Sequence, residues 1–452
     1  MTDFDLIVRC GSVVTPSEVV LADIGIVDER IAEISAQVAG SAAREIDASG
    51  RHVFPGVVDT HVHFNEPGRM EWEGIAHGSL ALAAGGATTY VDMPLNSDPP
   101  TLTAADVRAK LAAAADRALV DFGLWGGLVA ESIATMGELA DAGVCGFKAF
   151  MCDSGIAEFP RADDDTLLRG MQIAAELGLP VLVHAENEEI TRERTAAARL
   201  GADTDSMATF VATRPIEAEV EAIERAINFA GVAGCRLHIV HVSSSGGAKL
   251  VIDAAIQGVD VSCETCPQYL VLTADDLERL GADAKCAPPP RPDEQQALWA
   301  LVADGSVPMI VSDHSPSSPE LKVGRPLLDA WGGISGCQSA LGLMLEHGHG
   351  ARDIALTQIA CALSTNAAAR FRLPRKGAIV VGGDGDLAIV NLDQGYRLAA
   401  EDLFYRHARS AYLGMRHRGR VTHTILRGTV VFADGRPTAR PAGRFLRPLP
   451  SA

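Results

Sequence analysis

Val57-Val58-Asp59-Thr60-His61-Val62-His63 is a short apolar strand candidate that runs into a pair of histidines two residues apart. The same alternation of a short apolar run with Ala/Leu/Glu-rich helical sequence recurs down the chain, as in a parallel sheet covered by helices. Eight strand candidates lie near Val57–Asp59, Thr88–Asp92, Phe122–Gly126, Val144–Phe150, Val181–His184, Leu237–His241, Val259–Cys263 and Met309–Ser312. Eight βα units in series close a (β/α)8 TIM-like barrel, whose chemistry sits at the C-terminal ends of its strands. That rim is the place to look for function.

Both ends of the chain read differently. Leu6-Ile7-Val8, Val13-Val14, Ile24–Val27 and Ile31–Ile34 are strand-like, as are Asp386–Val390, Thr424–Gly428 and Thr429–Phe432 near the C-terminus. Neither end has a helix-length apolar period, so each forms a small β unit. The α/β chain is therefore divided into residues 1–53, a barrel over 54–372, and 373–452. With 452 residues it exceeds the roughly 250 that a barrel needs.

Composition narrows the partners. Asp and Glu number 58 against 39 Lys and Arg, a formal charge of −19, which repels phosphate backbones and anionic lipids. No nucleic acid and no membrane partner is expected, and the absence of a signal-peptide pattern or a bilayer-length apolar run makes the cytoplasm the expected location. The 9 cysteines lack framework spacing and read as reduced thiols. Cys263 and Cys266 alone sit close enough for half a metal site or a redox pair, but no second pair answers them.

His61 and His63 point to one side of a strand, so they can grip one ion together; a pair of surface histidines is the competing reading. The other strands add weight. Val181-Leu182-Val183 ends in His184, Leu237–Val240 ends in His241, and Met309–Ser312 ends in Asp313. Four histidines and an aspartate at the strand ends of one barrel converge on its axis. His238, three residues before His241, is expected to face the helix layer, while His314 and Glu186 are candidates for orienting ligands.

Lys148 lies inside the apolar stretch Gly146-Phe147-Lys148-Ala149-Phe150, where a bare ammonium is costly. A Schiff base, a salt bridge or a side chain reaching the rim would each account for it. So would carboxylation, which turns the amine into an anion able to bridge two cations, and beside the histidines this is the leading explanation.

Taken in order, Pro55–His63, the Gly-Phe-Lys segment, His184-Ala185-Glu186, His241-Val242-Ser243-Ser244 and Ser312–Pro316 resemble the cyclic amidohydrolases, the group of dihydroorotases, hydantoinases and allantoinases. The resemblance runs over essentially the whole chain. It implies that His61, His63 and Asp313 hold one divalent ion, that His184 and His241 hold a second, and that N6-carboxylated Lys148 bridges them. Zinc is the default metal, with manganese, iron and cobalt accepted by the same donors. The resemblance further implies a metal-activated water as nucleophile, Asp313 as catalytic acid–base, a β-sandwich built from both chain ends, and a homotetramer.

For the substrate, dihydroorotases usually carry arginine where Asn65 stands, and asparagine cannot supply that charged fork. Glu66–Arg69, Met93–Asn96, Lys285–Pro289 and Ala330–Ile334 resemble the allantoinase branch, implying a small-molecule substrate, allantoin. Hydantoinase-like or dihydroorotase-like activity is the alternative. Gln268 stands where many relatives carry histidine. Asn96, Ser315 and the backbone at Cys286 are candidates for substrate contact, with plain loop structure as their other reading.

Overall fold

The computed structural model describes residues 3–201 and 203–450. Its centre is a barrel of parallel strands: β1 (Val57–Val62), β2 (Ala87–Asp92), β3 (Asp121–Leu124), β4 (Phe147–Phe150), β5 (Val181–His184), β6 (Leu237–Ile239), β7 (Val261–Thr265) and β8 (Met309–Ile310). β1 to β3 pair as one arc and β4 to β8 as another. Gly126–Gly127, just past β3, pairs with β4 and joins them. On the other side the His63 N–H donates to the His314 carbonyl at 2.7 Å, and Val62 bridges His314 in parallel. Asp59 adds a side-chain tie across this seam, accepting from the backbone N–H groups of His61 (3.3 Å) and Ser312 (3.2 Å).

Alternation along each strand sorts its side chains into two sets. Phe147, Val181, Val183, Leu237 and Ile239 pack with Leu167, Met171, Ile223 and Val251 of the covering helices. Val58, Val91, Leu182 and Met309 form a separate interior cluster with Trp125 and Phe371. Strands buried on both faces, as every residue of β1 and β2 is, are what a helix-covered parallel sheet requires. Lys148, between Phe147 and Ala149, is thereby turned inward.

Several strands are shorter than their sequences suggest. The one expected from Val144 starts at Phe147, because Gly146 takes φ 155° and any Cβ there would collide with the Pro180 carbonyl. β6 and β8 stop at Ile239 and Ile310, and beyond them His241 and Asp313 adopt φ 39° and 46°. Left-handed backbone at non-glycine residues is strained and concentrates at functional sites.

The two chain ends share a nine-stranded sheet in the order Arg436–Pro437, Thr429–Ala433, Arg420–Leu426, Leu387–Asn391, His52–Pro55, Phe4–Val14, Val19–Val27 and Arg30–Ser35, with Ala42–Asp47 paired to Phe4–Val14. The C-terminal hairpin strand ends at Leu426 rather than Gly428, since Arg427 and Gly428, at φ 47° and 76°, make its two-residue turn. Leu6, Ile24 and Ile26 from one end pack with Leu387, Ile389 and Ile425 from the other, so neither end has a core alone. Lys376 ties this sheet to the barrel: its buried ammonium lies 2.7 Å from Asp121 at the start of β3, 2.9 Å from Asp384 and 2.8 Å from Asp386. Arg427 also pairs with Asp121. Among the described residues no helix is long and apolar enough to cross a membrane.

Candidate metal centre

At the C-terminal rim the ligand-type side chains meet. One ligand atom each from His61, His63 and Asp313 lies within 4.8 Å of the others. Asp313 Oδ1 is 3.3 Å from His61 Nε2 and 3.8 Å from His63 Nε2. Across the rim His184 Nδ1 faces His241 Nε2 at 3.0 Å, and the His61 and His241 rings are 5.3 Å apart between centroids. All five are buried, and Lys148 is fully so.

Burial sets their charge. It pushes His63 down to about 3 and His184 down to about 4, and it lowers His61 and His241 as well, keeping all four imidazoles neutral, the form that binds metals. Burial also pushes Lys148 down to about 7, an effect that the nearby Asp313 and Glu264 oppose. Asp313 is raised from the ordinary carboxylate range by the same desolvation. Lys148 Nζ has no hydrogen-bond partner and lies 4.9 Å from the centre of the Phe150 ring; His241 Nδ1 is likewise unpaired. A buried amine without a partner, amid neutral nitrogen donors and a carboxylate, fits a carbamate and divalent cations better than it fits an ammonium.

Two further carboxylates fix the rings. Glu186 accepts from His184 Nε2 at 2.8 Å and is itself paired with Arg214, as its sequence position suggested. Glu264, absent from the sequence reading, stands 2.6 Å from His61 Nδ1. It lies between Cys263 and Cys266, so the useful group of that segment is the glutamate; burial pushes the Cys263 thiol up to about 12 and leaves it inert. A lone Glu in an apolar strand carries the same signal as Lys148, the cost of a buried charge, and could have been found by it.

Two expectations need correction. His238 does not face the helix layer: it pairs in register with Leu182 and Ser262 on the interior face, its Nε2 3.1 Å from Glu264 and its Nδ1 2.8 Å from Ser262 Oγ. The three-residue spacing to His241 misled because the strand ends between them. His314 orients no ligand ring; Glu73 is 3.6 Å from its Nε2, and its Nδ1 accepts from Gly336 N–H at 3.1 Å, so its service to the site is the carbonyl that holds His63 in place.

A cavity of about 490 Å³ opens over these groups, lined by His61, His63, His184, His241 and Asp313 and also by Asn96, Cys286 and Ser315. Asn96 Nδ2 is 3.3 Å from His63 Nδ1, and Ser315 Oγ donates to Asp313 Oδ1 at 3.1 Å, so both also touch ligand-type side chains. Asn65 donates to the Pro316 carbonyl, and Gln268 accepts from the Tyr412 hydroxyl; neither lines the cavity.

Comparison with known proteins adds the context. A curated protein of Rubrobacter xylanophilus named allantoinase is 52% identical over 99% of this chain and 98% of its own length. Allantoinases of Desulfitobacterium hafniense and Escherichia coli are 48% and 42% identical, covering 99% and 98% of the chain and 100% and 98% of their own. Among solved structures, the L-hydantoinase of Arthrobacter aurescens superposes with a TM-score of 0.95 at 35% identity over 98% of this chain and 100% of that one. The dihydropyrimidinase of Brevibacillus agri gives 0.92 at 30% over the full length of both. The amidohydrolase family model matches residues 52–431, a span that encloses every ligand-type side chain at the rim, and the chain belongs to that family.

Proposed function

We propose that this protein is a metal-dependent hydrolase of cyclic amides that opens allantoin to allantoate. The observation that carries the chemistry is the meeting of four neutral histidines and Asp313 in one cavity, with the fully buried Lys148 amine beside them and without a hydrogen-bond partner. The choice of ring rests on near-full-length identity of 42–52% with proteins named allantoinase, against 35% with the hydantoinase of most similar fold cited above.

In this reading His61, His63 and Asp313 would hold one divalent cation, His184 and His241 the other, with N6-carboxylated Lys148 between them. Bound there, two cations make water nucleophilic near neutral pH and polarise an amide carbonyl. The chain's own groups do the rest. Asp313, raised toward neutrality by burial and steadied by Ser315, takes the proton of the attacking water. Oxygen adds to the ring carbonyl carbon, the C–N bond breaks, and Asp313 passes that proton to the departing ring nitrogen, giving the open acid. Glu264 and Glu186 hold two of the imidazoles in register. Asn96, Ser315 and the Cys286 backbone contact the ring or its ureido group. Zinc is the metal, the working form is a cytoplasmic homotetramer, and the domain limits are 53/54 and 372/373.

Purified protein assayed on allantoin, hydantoin, dihydrouracil and dihydroorotate tests the substrate. Allantoate formation should dominate; negligible opening of allantoin beside rapid opening of another ring would reject it in favour of the hydantoinase-like alternative.

A further inference from the structure

One wall of the cavity has no regular secondary structure of its own. Leu328 to Gly333 all line the cavity, yet they run as turns and extended chain between short helical pieces. Such a segment moves unless something holds it. Its edge is tied by Leu328 N–H to the Thr204 carbonyl, Trp331 N–H to the Leu321 carbonyl and Asp329 to Arg199, and two buried lysines hold it from beneath. The Lys285 ammonium donates to three carbonyls of this wall, Leu327 at 2.7 Å, Leu328 at 3.3 Å and Ala330 at 2.5 Å. At the far end Lys322 donates to Gly333 at 2.7 Å and across to Ala282 at 2.8 Å. The backbone completes the join, with Gly333 N–H donating to the Lys285 carbonyl at 2.7 Å.

Burying two ammonium groups is expensive, and each is compensated by carbonyl oxygens rather than by a carboxylate partner at contact distance. With its three N–H donors spent on three neighbouring carbonyls, Lys285 fixes the turn in one conformation. It lines the cavity itself, as does Phe210, whose ring centroid is 4.8 Å from its Nζ, so the clasp and the wall border the same space as the ligand-type histidines. Neither lysine touches those histidines or Asp313 through any hydrogen bond described for the site. Their effect on those ligand-type groups must therefore pass through the shape of the cavity.

We infer that Lys285, assisted by Lys322, is a positioning residue for substrate selection: it fixes the 327–333 wall and so the room left for a substituent on the ring being opened. The inference rests on the cyclic-amide reading above and adds to it the device that distinguishes a ring bearing a ureido group from a bare one. A wall displaced by an ångström still admits the smaller ring but no longer seats the larger one.

The test compares allantoin with hydantoin, the same ring without the ureido group, in wild type, Lys285→Met, Lys285→Arg and Lys322→Met. Metal content and thermal unfolding are measured on each. Lys285→Met should lower the allantoin-to-hydantoin ratio of kcat/KM by about tenfold, through KM more than kcat, with metal content at the wild-type level. Lys285→Arg keeps the charge but not the three-carbonyl geometry, and Lys322→Met frees the other end; both should shift the ratio in the same direction. An unchanged ratio in the folded variants overturns the inference, as does equal loss on both rings with loss of metal. Failure of all three variants to fold overturns it too, since the clasp would then serve the fold alone. A wild type that opens hydantoin and not allantoin refutes the substrate reading and with it the inference that depends on it, whereas an unchanged ratio in variants of a wild type that opens both rings refutes the clasp alone.

Discussion

Replacing Glu264 with alanine removes a carboxylate that holds the His61 ring and also stands 3.1 Å from His238 Nε2. Its Oε1 stands 2.6 Å from His61 Nδ1, and each side chain is only 1% exposed, so water cannot replace the lost acceptor. Leaving a buried donor without its acceptor costs about 1–3 kcal/mol, which at about 1.4 kcal/mol per decade is a factor of about 5 to 150. Because the bond fixes which nitrogen of His61 is protonated and aims Nε2 at Asp313, the loss should appear as weaker metal binding. Competition with a calibrated chelator, on holoprotein and on Glu264→Ala, measures it directly. Glu264→Gln keeps an acceptor oxygen and nearly the same volume, so its affinity should fall within about fivefold of wild type. Electronic spectra of the cobalt-substituted forms report the His61 geometry independently of turnover. Wild-type affinity and spectrum in Glu264→Ala would refute the reasoning; so would equal damage in alanine and glutamine variants.

Other outcomes follow from the same structure. Lys148→Ala should abolish most activity, and short carboxylic acids should restore part of it by supplying the missing anion; full activity without rescue would exclude a bridging role. In wild type, reactivation of stripped protein by metal at a fixed concentration of dissolved CO2 should quicken as pH rises through about 7, because burial lowers the Lys148 pKa and the neutral amine that takes up CO2 gains population above it; a rate flat or falling across that range at constant CO2 contradicts this. Lys376→Met leaves Asp121, Asp384 and Asp386 buried with one partner fewer, which should cost about 3–5 kcal/mol of stability, read by denaturant unfolding. A loss below about 1 kcal/mol would show that Arg427 on Asp121 and Arg375 on Asp384 balance the cluster without it.

Much of the site could be read from the chain because its elements advertise themselves locally. His61 and His63 share a face at strand spacing, and Lys148 is conspicuous among apolar neighbours. Strand ends were less legible. His241 and Asp313 sit on left-handed backbone just past β6 and β8, where alternation no longer tells which way a side chain points, and so His238 was placed on the wrong face. The strands Ala42–Asp47 and His52–Pro55 escaped notice because the first is largely exposed and the second is only four residues long.

By itself the amino-acid sequence determined the barrel, the pairing of strand-end histidines with a buried lysine, and the family resemblance, since all of these follow from periodicity and residue type along short windows. Tertiary structure alone decided which distant groups meet. Glu264 reaches His61 across 203 residues, and Lys285 reaches Leu327, Leu328 and Ala330 across more than 40. No spacing in the chain encodes those meetings; they exist because the barrel closes and loops from different strands are pressed together above one opening, where a buried charge must find whatever partner the packing brings.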